Sequence, residues 1–325
     1  MLKASSLAVG AAFLLGGLAS AAVVAPIPVK TTSRSELAPA AGGEWFAWTK
    51  SRENDSGSLL DVWAQRGTER AFKVNPRNTQ GYTGGTDGSR LVYQLIRGAE
   101  ANRSDLRLFD LSTRRHVALP RGVNTSRWEC CGTISGDWLL YSRGLVYTRN
   151  IQILILRNLV TGEVRVLDRL QNKNGLLSAG QVSGNYAVWV RCSPHPRCQI
   201  RRYDIVAGAR TILPVPTGKV VYSPSVTATG TAYYIRSNRG CGKYVELVKA
   251  PLAGVAEVLL ALPNGYDADV TYANLRPPRG PTPTITDVYF DRVRCGRNIW
   301  DIFRAEDRES PGPPPPPLAS RSSPR

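Results

Sequence analysis

Apolar and polar positions recur along the chain in a fixed order, and this order predicts short β-strands rather than helices. A turn with a small residue or glycine comes first, and an apolar strand ending in an aromatic residue follows it. Six segments share this pattern: residues 43–48, 87–93, 135–141, 183–189, 229–234 and, more weakly, 286–290. The aromatic ends of the first five, from Trp48 to Tyr234, lie 45 to 48 residues apart.

A second strand follows each copy after a polar gap, and its side chains alternate as those of a half-buried strand do. These second segments are residues 60–64, 106–110, 153–157, 200–204, 245–248 and 299–303. A tight turn and a third strand are clearest at residues 161–167 and 207–213. A repeat of this length with β-type patterning is typical of a propeller blade. We therefore predict an all-β chain, a β-propeller of about six four-stranded blades whose inner strands end in Trp or Tyr.

The ends of the repeat predict how the ring closes. The last copy ends near Ala305, one strand short of a full blade, whereas residues 23–37 precede the first copy and include Val23, Val24, Ile27 and Val29. We expect this N-terminal segment to supply the missing outer strand, because a blade cannot bury both faces of its own sheet. The repeat then forms one domain over residues 22–309.

The run from Tyr222 to Tyr234 resembles the repeat of TolB-type β-propellers, in which a Ser-Pro turn and Asp-Gly precede a strand ending in Tyr or Phe. Residues 87–93 match the second half of that repeat most closely. The resemblance covers about residues 40–305, although most copies lack the proline or carry Ser-Gly in place of Asp-Gly. It implies a recognition scaffold, since such repeats occur in periplasmic interaction proteins and in the propeller halves of serine peptidases.

The two ends of the chain differ from the repeat. Residues 1–21 have the positive, apolar and small-residue order of a secretory signal, and we expect cleavage after Ala21. Their apolar run is too short for a spanning helix, and no later stretch is long and apolar enough to cross a membrane. We therefore expect export, to the medium, the periplasm or the cell envelope. Residues 310–325 are rich in proline, serine and arginine and predict a disordered tail.

The chain carries a net charge of +17, with 42 Lys and Arg against 25 Asp and Glu. These cations are spread over every segment, unlike the basic run of a nucleic-acid tail, so we expect no specific nucleic-acid partner. The longest gaps join the same two strands of every copy, so their loops should open on one face and form a basic rim that attracts anions. The predicted rim consists of Arg97, Arg103, Arg143, Arg149, Arg191, Arg197, Arg236, Arg239, Lys243, Arg292, Arg294 and Arg297.

Six cysteines in an exported chain imply disulfides. Cys192 and Cys198 lie at the two ends of one hairpin gap, and we predict a bond between them. Cys241 and Cys295 occupy the corresponding gap of the fifth and sixth copies and form our second predicted pair. Cys130 and the adjacent Cys131 join in a vicinal ring or pair elsewhere. Such a ring serves a structural role or forms a redox-sensitive or ligand-contacting group.

Candidate catalytic groups are sparse. There is no Gly-x-Ser-x-Gly elbow, no His-Glu-x-x-His and no appended hydrolase domain. His116 is interpreted as a solvated loop residue and His195 as a rigid structural residue between two prolines. With bonded cysteines and two histidines we expect no metal site, and no cofactor motif is present. The recurring aspartates of the second strands are interpreted as exposed or turn-bonded positions; they are Asp61, Asp110, Asp204 and Asp301.

Two functions follow from this pattern. The first is an exported binding or scaffold module whose basic face engages an anionic envelope polymer or a protein partner. The second is an extracellular glycoside hydrolase with carboxylates at the propeller channel. The absence of catalytic motifs favours the binding module. The sequence leaves the identity of the ligand and the oligomeric state open.

Overall fold

The structure of the protein is a computed structural model that describes residues 25–53, 59–96, 104–145, 151–171, 174–193, 197–238, 240–276 and 284–308. The predicted signal at 1–21 and the predicted tail at 310–325 lie outside these residues. The described residues form strands and turns only. No helix among them is long and apolar enough to cross a membrane.

Twenty-four antiparallel strands form six four-stranded sheets, so the predicted propeller is confirmed. Blades 1 to 3 consist of β2 (Glu36–Gly42), β3 (Trp45–Ser51), β4 (Leu60–Arg66) and β5 (Phe72–Lys73); β6 (Gln80–Thr86), β7 (Arg90–Ile96), β8 (Ser104–Asp110) and β9 (Arg115–Val117); and β10 (Trp128–Ser135), β11 (Trp138–Leu145), β12 (Ile151–Asn158) and β13 (Val164–Gln171). Blades 4 to 6 consist of β14 (Leu176–Ser183), β15 (Tyr186–Cys192), β16 (Cys198–Asp204) and β17 (Ala209–Ile212); β18 (Val220–Val226), β19 (Ala232–Ser237), β20 (Glu246–Ala250) and β21 (Glu257–Ala261); and β22 (Tyr266–Arg276), β23 (Ile285–Arg294), β24 (Trp300–Arg308) and β1 (Ile27–Lys30).

The aromatic-ended strands are the second strands of the blades, so their prediction as inner strands was wrong. The innermost strands are β2, β6, β10, β14, β18 and β22, and each contacts the next around a closed ring. They are rich in small residues because their backbones approach closely at the axis. A Cβ on Gly84 would lie 1.9 Å from the Gly132 carbonyl oxygen, and one on Gly180 would lie 2.3 Å from the Pro224 oxygen.

Each inner strand contains a β-bulge at an equivalent position, so the six bulges form a ring around the channel. A bulge inserts one residue without a partner and changes the direction in which side chains point. Three bulges contain a non-glycine residue with positive φ, namely Ala38, Cys131 and Ser223. The bulges therefore interrupt side-chain alternation where the inner strands line the channel.

The N-terminal strand closes the ring, as predicted. β1 pairs with β24 and forms the outer strand of blade 6, so that blade combines both ends of the described chain. The pairing strand is limited to Ile27–Lys30, whereas Leu37 already belongs to the inner strand of blade 1. Val23 and Val24 lie outside the described residues.

The hydrophobic core lies between neighbouring blades. Leu140 and Leu154 of blade 3 pack in one cluster with Leu177 and Trp189 of blade 4, and Trp189 is fully buried. Each blade thus buries its faces against the next, which explains why a single blade is not stable alone.

Candidate functional site at the channel mouth

Antiparallel alternation places every loop between second and third strands on the face where the inner strands begin. We call this face the upper face. It carries the β3–β4, β7–β8, β11–β12, β15–β16, β19–β20 and β23–β24 connections. A loop face of this kind varies without disturbing the blades and is a common location for recognition.

A cavity of about 440 Å³ occupies the upper end of the channel, and we call it the channel mouth. Five inner strands line it, namely β6, β10, β14, β18 and β22, together with Val190 of β15 and Trp300 at the start of β24. Its wall is largely apolar and aromatic, with Tyr82, Leu176, Val190, Tyr222 and Trp300 among the lining residues. Its volume lies in the range of ordinary ligand pockets, roughly 300–1,000 Å³.

Two side chains close the channel mouth below by bridging blades that are not neighbours. The amide of Gln181 in blade 4 donates to the Ala273 carbonyl of blade 6 at 2.9 Å. Its oxygen accepts from the amides of Ala273 and Val226 at 3.1 and 3.2 Å. The Tyr272 hydroxyl of blade 6 donates to the Thr86 carbonyl of blade 2 at 2.5 Å and accepts from the Thr86 amide at 2.9 Å. We call Gln181 and Tyr272 the channel floor.

Two carboxylates of β22 line the channel mouth. Asp267 and Asp269 are two residues apart, so their side chains share one face of the strand. The Tyr222 hydroxyl donates to Asp267 at 3.1 Å, and the Ser223 hydroxyl donates to Asp269. Both carboxylates are therefore held in place by blade 5, the neighbouring blade.

A third carboxylate lies behind them. Asp291 on β23 is 1% exposed and accepts from the backbone amides of Ala38 and Asp269 at 3.0 and 3.1 Å. Because Ala38 belongs to blade 1, this carboxylate joins the first and last blades at the ring closure. Its role is structural, since both of its oxygens are occupied by backbone donors.

The channel mouth is lined by acidic side chains although the chain as a whole carries a net positive charge. Burial raises the pKa of Asp269, and burial together with the Asp269 charge raises the pKa of Asp291 well above its usual value. Other carboxylates of the described residues form ion pairs, as Glu129 does with Arg143. Asp267, Asp269 and Asp291 form none with the described residues. No Lys or Arg is found among the described residues that line the mouth. A cation would therefore gain by entering it.

A vicinal disulfide forms part of the wall. Cys130 and Cys131 are bonded to each other within the bulge of β10, and Cys131 lines the channel mouth. Cys130 is buried, whereas Cys131 has a φ of 56° and points its side chain into the cavity wall. Of the alternatives that the sequence left open, the vicinal ring is the one formed.

The other two disulfides are those that the sequence predicted. Cys192–Cys198 joins the end of β15 to the start of β16. Cys241–Cys295 joins the upper loops of blades 5 and 6. All three disulfides thus lie at the upper face or along the upper half of the channel wall.

The predicted basic rim lies partly outside the described residues. Those that fall there are Arg97, Arg103, Arg149 and Arg239. The exposed members are Arg197, Lys243, Arg294 and Arg297. None of these four has an ion pair among the described residues.

The remaining described rim residues have partners in their own blade or, for Arg191, in the neighbouring blade 3. Arg143 pairs with Glu129 at 2.8 Å, Arg191 with Asp168 at 2.6 Å, and Arg236 with Glu246 at 2.8 Å. Arg292 lies over the rings of Phe303 and Tyr266, 3.7 and 4.7 Å from their centroids. The structure brings Arg191 and Arg197 together along one groove and does not gather the other described members into a continuous ring.

Other candidate residues have structural partners. His116 lies on β9, where its Nε2 is 2.7 Å from the Tyr93 hydroxyl; it is exposed, as predicted, but its prediction as a loop residue was wrong. His195 lies outside the described residues. Among the described residues no group of three His, Cys, Asp or Glu side chains forms a metal site.

The recurring aspartates behave in two ways. Asp110 and Asp204 accept backbone amides of their own turns, as expected. Asp61 is buried and pairs with Arg52 and Lys73 at 2.6 and 2.7 Å, so its prediction as an exposed or turn-bonded residue was wrong. Asp301 is half-buried, which raises its pKa.

The sequence analysis did not identify the two carboxylates of β22, Asp267 and Asp269, as site residues. The signal was present in residues 266–270, where Asp267 and Asp269 alternate with Ala268 and Val270. That alternation marks a strand with an acidic face. It lies upstream of the weak sixth copy, in a stretch that was not assigned to a strand.

No protein-family model and no curated protein matches the chain. Similar solved structures include a prolyl endopeptidase, with a TM-score of 0.50 and 12% identity over 82% of this chain and 41% of that chain. They also include the β-propeller domain of the trilobed protease from Pyrococcus furiosus, with a TM-score of 0.47 and 9% identity over 85% of this chain and 97% of that chain. TolB from Acinetobacter baumannii has a TM-score of 0.44 and 15% identity, over 87% of this chain and 66% of that chain.

The chain spans about two fifths of the prolyl endopeptidase chain that it matches. Identities this low concern the fold alone and say nothing about activity. The chain is a six-bladed β-propeller.

Proposed function

We propose that the chain is an exported binding module that takes a segment of a protein partner into the channel mouth. The observation that carries this proposal is the form of the cavity. It holds about 440 Å³, opens on the loop face and is closed below by Gln181 and Tyr272. A cavity of this size accommodates one or two side chains rather than a threaded chain.

The chemistry of the wall favours a cationic side chain flanked by apolar groups. Asp267 and Asp269 offer carboxylate oxygens without a competing cation from the described residues. Tyr82, Tyr222 and Trp300 offer aromatic faces, which attract Lys and Arg groups. A lysine or arginine on the partner's inserted segment satisfies both features.

Export is supported by the cysteines and by the N-terminal pattern. All six cysteines are bonded, and disulfides persist in oxidising compartments. Residues 1–21 have the order of a secretory signal. A binding site on a rigid, disulfide-linked face suits a partner met outside the cytoplasm.

The test is to fill the channel mouth. Ser178 lines it, so Ser178→Trp places an indole in the cavity, whereas Val255→Trp adds the same ring at an 87% exposed turn of blade 5. Proteins of the cell envelope are crosslinked to each variant and identified by mass spectrometry, and their affinity for the purified protein is then measured. We expect Ser178→Trp to lose a partner that Val255→Trp retains, with both variants melting like the wild type. Equal capture by the two variants would rule the channel mouth out as the recognition site.

A glycoside hydrolase is the second candidate, favoured by one observation. Asp267 and Asp269 share a face of β22, and residues two apart on a strand are separated by roughly 6.5 Å. Paired carboxyl groups of glycosidases lie about 5–9.5 Å apart, with the acid's pKa raised, as burial raises that of Asp269. The hydrolase candidate predicts turnover of an extracellular polysaccharide that both Asp267→Asn and Asp269→Asn abolish. The binding module predicts no turnover by the wild type.

A further inference from the structure

A second cavity lies at the upper edge of blade 4, between the hairpin closed by Cys192–Cys198 and the segment at 213–219 that leads to β18. We call it the blade-4 groove. It holds about 660 Å³ and shares no lining residue with the channel mouth. Four cations line it and no carboxylate does among its described lining residues: Arg191, Arg197, Arg201 and Lys219.

One buried carboxylate orients two of these cations. Asp168 is 8% exposed and accepts from Arg191 at 2.6 Å and from Arg201 at 2.9 Å. It also accepts from the Trp189 indole at 2.9 Å, which fixes the carboxylate from below. Two guanidinium groups on a single carboxylate leave a net positive charge, and their fixed orientation lowers the entropy cost of binding.

The surroundings of Arg201 increase that positive charge. Burial and the neighbouring charges of Arg191 and Arg210 lower the pKa of Arg201, and its Nε is buried without a hydrogen-bond partner. Arg210 lies 5.4 Å from the centroid of the Trp189 ring. An anion in the groove would relieve this repulsion.

Neither of the other two cations of the groove pairs with a carboxylate in the part of the chain that the structure describes. Arg197 is exposed and has no ion pair among the described residues, and Lys219 lies 5.4 Å from the Tyr244 ring centroid. An isolated surface charge contributes little to binding. Here exposed Arg197 and half-buried Lys219 lie in the same groove as two oriented guanidinium groups.

We propose that the blade-4 groove binds an extended anionic polymer through these four cations. The shared chemistry is a chain of phosphate or carboxylate groups, both of which arginine binds with two parallel hydrogen bonds. The four cations are distributed from the disulfide-closed hairpin to the segment at 213–219, which suits several successive anionic groups better than one small anion. The proposal does not depend on the channel mouth.

The experiment measures the affinity of two labelled polymers of matched length, polyphosphate and polyglutamate, by fluorescence anisotropy over a salt series. The test variant is Arg197→Ala/Lys219→Ala, whose residues make no ion pair within the described structure. The control is Arg294→Ala/Arg297→Ala, which removes the same charge from the same face but outside the groove. We expect the test variant to lose about tenfold or more in affinity for the preferred polymer and the control to lose under about threefold. The dependence of log affinity on log salt should also flatten by about one to two in the test variant, because two contacts are removed.

Each outcome of this experiment supports or contradicts a specific assignment of the groove. Preference for polyphosphate assigns the groove to phosphate groups, and preference for polyglutamate assigns it to carboxylates. Equal losses in the two double variants would mean diffuse attraction to a basic surface and would overturn the proposal, as would failure of both polymers to bind. Ser178→Trp is expected to bind polymer like the wild type, so the groove and the channel mouth can fail independently.

Discussion

The channel mouth and the blade-4 groove open on the same side of the propeller and have opposite charge. The mouth is lined by two aspartates and no cation among its described residues, whereas the groove is lined by four cations and no carboxylate among its own. The chain as a whole carries +17. Net charge therefore governs the average attraction of the surface but does not give the sign at a particular site.

The two sites also differ in how they are built. The channel mouth is formed by inner strands, and the channel floor below it joins blades across the axis. The groove is formed by an upper loop, parts of β15, β16 and β17, and a connection at the edge of one blade. Binding and stability are thus coupled at the axis, whereas at the edge the two cations without an ion pair among the described residues, Arg197 and Lys219, are expected to contribute to binding alone.

The largest expected difference is in stability. Gln181→Leu removes three hydrogen bonds and leaves the Val226 amide and both backbone groups of Ala273 without them, at a cost of about 2–4 kcal/mol. Gln199→Leu makes the same change in the groove, where the exposed amide accepts one hydrogen bond, from Arg201, among the described residues, and should cost under about 0.5 kcal/mol. Urea denaturation with the disulfides intact measures both. Similar losses at the two sites would contradict the separation of stability from binding at the edge.

The second difference concerns two of the disulfides. We expect removal of Cys130–Cys131 to weaken binding at the channel mouth alone, and removal of Cys192–Cys198 to weaken binding at the blade-4 groove alone. Cys130→Ser/Cys131→Ser frees the bulge that forms part of the channel wall, where Cys131 has a positive φ. It should weaken capture of a channel partner and leave polymer affinity unchanged. Cys192→Ser/Cys198→Ser frees the loop that carries Arg197 and should weaken polymer affinity several-fold, because binding must then order that loop.

These two variants are compared by the same crosslinking and anisotropy measurements, well below their melting temperatures. If either double variant impairs both sites equally, the upper face acts as one unit and the comparison between the two sites fails.

The sequence predicted the propeller because its strongest signal is the buried second strand. Trp48, Tyr93, Tyr141, Trp189 and Tyr234 pack between blades, and such residues must recur wherever a blade does. The inner strands were not assigned, because close packing at the axis requires small residues such as Gly84 and Gly180. Small residues and bulges leave little alternation to detect.

The site was harder to predict than the fold. Two of the disulfides follow from spacing within the repeat, since a hairpin brings Cys192 to Cys198 and adjacent blades bring Cys241 to Cys295. Whether a cation is free or paired depends on contacts between segments distant in sequence. Arg191 pairs with Asp168, 23 residues away, and Arg201 pairs with the same carboxylate, 33 residues away. No local pattern contains that information.

The smallest expected difference lies in pH dependence. A carboxyl whose pKa is raised in the folded state holds its proton more tightly there than in the unfolded chain, so stability is greatest at low pH and falls as the pH rises through the raised pKa. Burial raises the pKa of Asp269 and of Asp291, and the charge of Asp269 raises the pKa of Asp291 further.

Asp269→Asn removes one charge and with it the repulsion that acts on Asp291, while the asparagine side-chain oxygen can still accept from the Val270 amide. Thermal unfolding is measured at a series of pH values from 4 upward. We expect the melting temperature to fall less with rising pH in this variant than in the wild type. Arg197→Ala should leave the wild-type slope unchanged, because a guanidinium stays charged over this range. If Asp269→Asn also follows the wild-type slope, the carboxylates of the channel mouth are not the destabilising charges, and the contrast with the groove loses its electrostatic basis.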